Sequence, residues 1–439
     1  MSSITQKVKK DYLSILNHMA ENPDPYVKNP GKDFTRKRKL SFQDTINTIV
    51  TFDAGSNDRC LKRFFQKAKE TPHTSAFIQK RKKIKLSAFQ TLLYRFNDSF
   101  KGDKTLYGFH ILGVDGTATT IPVISMEEYP EYARMRTNKD CTRYAYQFEV
   151  TCIYDLLNEK YYDAYIEPFR THSEQPAFST LLEQKNFPED SLFIADRGYE
   201  SYTLMAQIQR SGYFFLFRAK EFFGLGSTIK GYPLPRDGTF DKTFNYTYTR
   251  RQNKMTKAHP EIYKRVATKD SPYFINKEHP YVEMTLRFVM ILLPNGQKEC
   301  LITNLPEDKF PPEKLKELYC MRWKIETSFR LIKYSANLLD FHSQKIEFLH
   351  QEIWAKMIFY NFTTTITQHL RYKKDRGKYK YKPNMTNALH MCRDYLRNIK
   401  KAADVDGHIL MEMIPIRDGR SFQRQKPKHQ KYYTTYKSN

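Results

Sequence analysis

The sequence predicts an α/β core, interrupted by an all-β insertion and enclosed by helical N- and C-terminal regions. Three observations carry that expectation. From residue 107 to about 220, short apolar or β-branched runs alternate with helix-like segments. From 221 to 305, turn-rich text and aromatic alternation replace that rhythm. On either side of both, amphipathic or wholly apolar stretches have helical spacing.

Residues 1–100 contain TRKRKLSFQDTINTIVTF, CLKRFFQKAKE and QKRKKIKLSAFQTLLYRF, where cations adjoin apolar stripes. Small helices laid on phosphates are expected there. A solvated basic face is the plain alternative, but repetition in three consecutive segments favours DNA contact. In 101–220, YGFHILGVDGTATTIPV predicts a buried strand running through Asp115 into a turn. YQFEVTCIYDLLNEKYYDAYIEPF predicts two strands joined at Leu157 to Lys160; SEQPAFSTLLEQK predicts a helix, SLFIADRGY a strand ending at Asp196, and GYFFLFRAK another strand. Residues 221–305 hold GLGSTIKGYPLPRDG, FNYTYT and TRRQNKMTK, then a hairpin, EMTLRFVMILLPNGQKECLITN, with Asn295-Gly296 at its turn. Helices return in 306–370 with the apolar IEFLHQEIWAKMIFYNFTTTITQHL. In 371–439, RYKKDRGKYKYKP predicts a charged loop and QRQKPKHQKYYTTYKSN a basic, disordered tail.

Composition narrows the function. A chain of 439 residues with 40% apolar content can bury a large core, and its length suggests two to four domains. The formal net charge of +25 and a pI near 9.5 favour polyanions, so double-stranded DNA is the expected partner. Runs such as YFFLF and VMILL fall far short of the roughly 18 residues that span a bilayer, so no membrane is expected. The start, MSSITQKVKKDYL, lacks a signal-peptide apolar stretch, and a cytoplasmic, nucleoid-associated protein is expected. The six cysteines (60, 141, 152, 300, 320, 392) show no Cys-x-x-Cys pair and no histidine at zinc spacing. They read as reduced thiols, and any metal should be a hard ion held by carboxylates.

The chemistry concentrates in YCMRWKIETSFRLIK, residues 319–333. On a helix at about 100° per residue, Tyr319, Arg322, Glu326, Arg330 and Lys333 share one face, and Leu318, Cys320, Met321, Ile325, Leu331 and Ile332 occupy the rest. Desolvating such a stripe costs several kcal/mol per charge unless the groups pair or bind something. Two readings stand on the spacing alone. Glu326 could ligate a divalent cation while Tyr319, Arg322, Arg330 and Lys333 grip phosphate oxygens, or Arg322 and Arg330 could form a salt-bridge ladder with Glu326. Asp115 within GVDGT and Asp196 within IADRGY shift the balance: acids in or at the end of buried strands need a partner, although Asp-Gly more often caps a turn. Two aspartates and a glutamate suffice to hold two Mg²⁺ ions about 3.5 to 4 Å apart for in-line phosphoryl displacement.

The run Tyr319, Arg322, Glu326, Lys333, with two, three and six intervening residues, resembles the complete Y-R-E-K signature of a branch of DDE transposases encoded by bacterial insertion sequences. DGT at Asp115 and DRGY at 196–199 resemble that family's first and second acidic motifs, and the order and the β-rich insertion agree. The resemblance spans residues 107 to about 340. It implies a ribonuclease H-like core, a mixed five-stranded sheet with flanking helices, and a catalytic, metal-binding triad of Asp115, Asp196 and Glu326. It implies two Mg²⁺ ions per site, with Mn²⁺ as a substitute, and DNA-phosphate contacts from Tyr319, Arg322 and Lys333. Water would cut at each element end and the freed 3′-hydroxyl would attack target DNA, within a homodimeric synaptic complex.

One departure concerns relatives that pass through a DNA hairpin and stack a flipped base on a tryptophan of the insertion. Here the two tryptophans, Trp323 and Trp354, lie outside it, leaving Tyr246, Tyr248, Tyr273 and Phe274 as aromatic candidates. His172 reads as an exposed loop histidine, and Arg197 as a neutraliser of Asp196 or a DNA contact. The alternatives are a catalytically inactive DNA-binding relative, which would have lost some of the acids and signature positions, or a different metal-dependent nuclease on the same core, which needs neither the insertion nor the phosphate grip.

Overall fold

A computed structural model of the chain describes residues 3–36, 38–122, 127–138, 141–220, 227–235, 238–266, 275, 280–292, 296–372, 375–376 and 379–416, with the backbone alone for 136–138, 141–144 and 375–376. The N-terminal region is helical, as expected. Reciprocal capping by Ser3 and Gln6 opens α1 (Ile4–Glu21), and Ser41 and Asp44 do the same for α2 (Phe42–Val50). Then come α3 (Asn57–Phe65), α4 (Thr74–Arg81) and α5 (Leu86–Ser99).

The core follows as β1 (His110–Ile121), β2 (Ala133–Asn138), β3 (Cys141–Asp155), β4 (Lys160–Pro168), α6 (Glu174–Gln184), β5 (Ser191–Ala195), α7 (Tyr202–Arg210) and β6 (Phe214–Arg218). Five strands lie in the order β4-β3-β1-β5-β6. β3 runs antiparallel to β1 and β4, whereas β5 and β6 run parallel to β1, the ribonuclease H-like arrangement. One expectation fails in detail: β1 does not turn after Asp115. Its pairing with β3 continues from Leu112↔Asp155 through Ile121↔Tyr146, because the β-branched run Thr117 to Ile121 outweighs the turn preference of Asp-Gly.

The insertion extends this sheet. It contributes β7 (Asp241–Thr249), the short helix α8 (Lys254–Ala258), β8 (Tyr263–Arg265), β9 (Tyr281–Leu292) and β10 (Lys298–Thr303), so it is not wholly β. β10 pairs with both β6 and β9, giving a continuous ten-stranded sheet. The β9-β10 hairpin is the expected one, with Gly296 at φ 79° in the left-handed region that favours glycine. Asn295, Tyr273 and Phe274 lie outside the described residues.

The chain continues as α9 (Pro312–Cys320), α10 (Trp323–Arg330), α11 (Ile346–His369), β11 (Asp375–Arg376), β12 (Tyr379–Pro383), α12 (Met385–Leu396), α13 (Ala402–Met411) and β13 (Met413–Ile416). The segment read as a charged loop holds β11 and β12, which pair with β13 in a small sheet. The period-2 pattern Tyr379-Lys-Tyr-Lys was masked by its charge. The basic tail 423–439 lies outside the described residues. α11 is buried around nearly its whole girth, with α1, α2 and α5 packed on it and β4 beside it. Cys60, Cys152, Cys300 and Cys392 are buried free thiols, and Cys320 is an exposed one.

A buried polar network ties the N-terminal helices to α11. Glu352 accepts from Arg81 Nη1 at 3.0 Å and lies 3.0 Å from His342 Nδ1, while His342 Nε2 is 3.0 Å from the Asp53 carbonyl. Both ring nitrogens thus face acceptors, which only the imidazolium satisfies. Burial pulls His342 down, but the Glu352 carboxylate outweighs it and takes the group up to about 9. Stability from this ion is therefore full below the unfolded value near 6.5 and lost as pH rises through about 9. Burial draws the neighbouring Lys356 amine down to about 7, and that group makes stability rise with pH, so only a difference measurement isolates His342. In urea unfolding, the advantage of the parent protein over His342→Gln is expected to shrink by about 2 to 3 kcal/mol between pH 6 and 9.5. A gap independent of pH would show a neutral His342.

Candidate active site

The register of the parallel pair β1/β5 sets two acids side by side. Val114 pairs with Ala195, so Asp115 and Asp196 are the next residues on adjacent strands. Asp115 is held by the Gly116 N–H at 2.9 Å, and Asp196 caps the short turn Arg197–Tyr199 by accepting from the Arg197 N–H. α10 packs over β1 and brings the third acid. Arg322 joins them: its Nη1 lies 3.6 Å from Asp115 Oδ2, and its Nη2 lies 3.9 Å from Asp196 Oδ2 and 3.0 Å from Glu326 Oε1. Three carboxylates far apart in sequence therefore surround one guanidinium, on a residue that is 3% exposed.

The electrostatics fit that arrangement. Burial pushes the Asp115 carboxyl up to about 7, against Arg322 and the Gly116 N–H, with Glu326 and Asp196 pushing it further. Burial lowers Arg322, but Tyr319 and the three acids more than reverse this and bind its proton more tightly.

A family model of the transposase DDE domain matches residues 110–362, more than half of the chain. The chain belongs to the transposase DDE domain family. A cryo-EM structure of the piggyBac transposase synaptic complex with hairpin DNA is similar over 92% of this chain and 82% of that one, at 10% identity and a TM-score of 0.42. No curated protein matches the chain.

Residues 319–333 are helical but do not form one regular helix. Between α9 and α10 the backbone tightens to i→i−3 bonds, Arg322 N–H to Tyr319 O at 3.0 Å and Ile325 N–H to Arg322 O at 3.1 Å. After Arg330 it widens to a π turn, Leu331–Ser335, closed by Ala336 N–H to Leu331 O at 2.9 Å. These changes of pitch replace the single polar stripe expected from a 3.6-residue period. Lys333, on the π turn, donates to Ala118 O of β1 at 2.6 Å, and burial draws its amine below the ordinary value. Tyr319 is buried, its hydroxyl lacks a hydrogen-bond partner among the described residues, and burial lifts it to about 12. Arg330 is exposed and forms no ion pair among the described residues, so only the Arg322 half of the predicted ladder exists.

Three carboxylates are the right donor chemistry for a hard divalent cation, and a buried carboxyl poised near 7 is one that such a cation would ionise. Among the described residues no three potential ligands surround one metal position; Arg322 stands between the acids instead. A cation held by these acids would compete with the Arg322 guanidinium for the same oxygens.

Some neighbours differ from expectation. His172 is not an exposed loop residue: its side chain is 13% exposed and Nδ1 lies 3.0 Å from Glu167 Oε2. Arg197 is exposed. Tyr248 is buried and hydrogen-bonded to Tyr232, and Tyr246 packs between Tyr232 and Phe244, so both serve the strand core. Trp354 is buried, whereas Trp323 is 54% exposed with its ring 4.9 Å from the Arg322 guanidinium. No helix among the described residues is long and apolar enough to cross a membrane.

The raised Asp115 carboxyl makes a stability prediction. The folded state holds this proton more tightly than the unfolded one, so stability falls as pH rises from about 4 through about 7. With EDTA present, Asp115→Asn is expected to exceed the parent protein by about 1 to 3 kcal/mol at pH 8 and by little at pH 4, in urea unfolding. Added Mg²⁺ should raise the parent alone.

Proposed function

We propose that this chain is a transposase of the insertion-sequence kind that carries the Y-R-E-K signature. It cuts the ends of its DNA element by metal-dependent phosphodiester hydrolysis and joins the 3′-hydroxyl ends to target DNA. The supporting observation is the convergence of Asp115, Asp196 and Glu326 on one buried cation, since carboxylates from separate elements meet only where positive charge is to be held.

Asp115, Asp196 and Glu326 would hold Mg²⁺ or Mn²⁺, two ions in all, which activate the attacking oxygen and stabilise the leaving one. Arg322, once released from the acids, pairs with a phosphate beside the scissile bond. Tyr319 remains protonated at neutral pH and offers its O–H to a non-bridging oxygen. Lys333 is tethered to β1 three residues beyond Asp115 and supplies a second positive contact. Arg330, exposed one turn beyond Glu326, contacts the strand farther from the cut.

The rest of the duplex is assigned to the N-terminal region. A cleft of about 730 Å³ is lined by Lys32, Arg36, Arg38, Lys39, Lys80 and Lys83. Lys83 pairs with the buried Asp33 at 2.8 Å, and the Lys80 ammonium lies 4.5 Å from the Phe34 ring centroid. Such a cleft suits a run of phosphates. Joining two ends needs two protomers, hence a homodimer in the synaptic complex, working on nucleoid DNA.

The deciding assay is excision from a supercoiled plasmid carrying the element ends, with Mg²⁺ or Mn²⁺. Glu326→Ala is expected to lower cutting by roughly three orders of magnitude while end binding persists. Equal binding without cutting by either protein would instead support the inactive DNA-binding relative. For the cleft, Arg36→Glu with Lys80→Glu should weaken binding of any duplex and make the slope of log K against log salt shallower by about one per phosphate that is no longer neutralised. An unchanged slope would move the duplex elsewhere.

A further inference from the structure

Glu174, the first residue of α6, lies against the backbone that follows both catalytic aspartates. A Cβ built on Gly198 would fall 2.1 Å from Glu174 Oε2, and one built on Gly116 would fall 4.0 Å from Glu174 Oε1. The carboxylate is therefore wedged between the Asp115-Gly116 and Asp196-Arg-Gly198 segments. Gly198 does not have the left-handed φ that would demand glycine, so the close approach of the carboxylate is what excludes a side chain there.

A second group points into the same space. The Tyr199 hydroxyl belongs to a residue 1% exposed, lies 3.7 Å from the Gly116 Cβ position and has no hydrogen-bond partner among the described residues. Thr151 Oγ1 lies close enough to offset part of the phenol's upward shift, but among the described residues neither hydroxyl meets hydrogen-bond geometry. Glu174 likewise makes no hydrogen bond or ion pair among the described residues, although it is half-buried and feels His172, Asp196 and Lys220. A glutamate in the first turn of a helix often serves only to complement the helix dipole. That role favours solvent exposure and explains neither the glycine contact nor the orphaned phenol.

We propose that Glu174 is a fourth carboxylate of the catalytic centre, supplying an oxygen ligand to a divalent cation on the Asp196 side, with the Tyr199 O–H donating to that carboxylate or to a water on the ion. Gly198 is the clearance that lets Glu174 reach it. This rests on the metal-dependent reading above. Its class of ligand is a hard, oxygen-seeking dication such as Mg²⁺ or Mn²⁺.

The test counts Mn²⁺ bound to the full-length protein by electron paramagnetic resonance and calorimetry, for the parent chain, Glu174→Gln, Gly198→Ala and, as a control on the exposed face of α6, Glu183→Gln. The parent and the control are expected to bind two ions. Glu174→Gln is expected to keep one and to weaken the other about tenfold or more. Gly198→Ala should reproduce that weakening, because its methyl group displaces the carboxylate. The isosteric glutamine preserves the fold, which circular dichroism verifies. Two ions at parental affinity in Glu174→Gln would overturn the proposal and leave Glu174 as a helix-terminal charge. No Mn²⁺ on the parent protein would instead remove the metal-dependent reading, and this inference with it.

Discussion

Everything in this candidate site answers to one constraint: three carboxylates brought to a common point cannot all stay ionised there without a cation. At an effective dielectric near 20, two unit charges about 4 Å apart repel by about 4 kcal/mol, and three acids multiply that term. The register of β1 with β5 makes the aspartate neighbours inevitable, and α10 brings the glutamate. Arg322 faces all three acids, yet Asp115 is still pushed toward a proton. One guanidinium therefore undercompensates a site shaped for more positive charge than it holds.

That shortfall gives the metal and the DNA a common logic. In the proposed function, a dication held by the acids would take the place of Arg322, and a desolvated arginine so displaced would need an anion. A phosphate beside the cut would supply it. The same residue would then serve first as counter-charge to the acids and afterwards as phosphate grip. The local backbone suits such a change, since Arg322 sits in the tight i→i−3 stretch between α9 and α10 rather than inside a regular helix.

Much of this was legible because the sequence signals were local. Asp115, Asp196, Glu326 and the spacing of Tyr319, Arg322 and Lys333 are readable one segment at a time, as are the hairpin of β9 and β10 and the capped helices of the first hundred residues. What was not legible depends on partners remote in sequence. The continuation of β1 past Gly116 is decided by β3, and the strand character of Tyr379–Pro383 by β13. The attachment of the insertion to β6 leaves no mark in either strand. The changes of helical pitch around α10 arise from packing on β1, which a 3.6-residue wheel does not contain. His172 is a different case: Glu167 is only five residues away, but its spacing does not show that the chain after β4 folds the ring back onto that carboxylate.

Glu174 shows the sharpest form of this limit. Its own segment reads as an ordinary helix start, and its place beside the two aspartate segments shows only in another residue's absence of a side chain. Gly198 sits in a motif where a turn would explain glycine, but its backbone does not require one; the carboxylate packed against it does. The buried network of Asp53, His342 and Glu352 works at the same remove, fixing α11 against the N-terminal helices while contributing no group to the chemistry. α11 packs behind β4 and the π turn, and the positive charge that faces the acids sits at the edge of that frame, on Arg322 in the tight stretch just before α10.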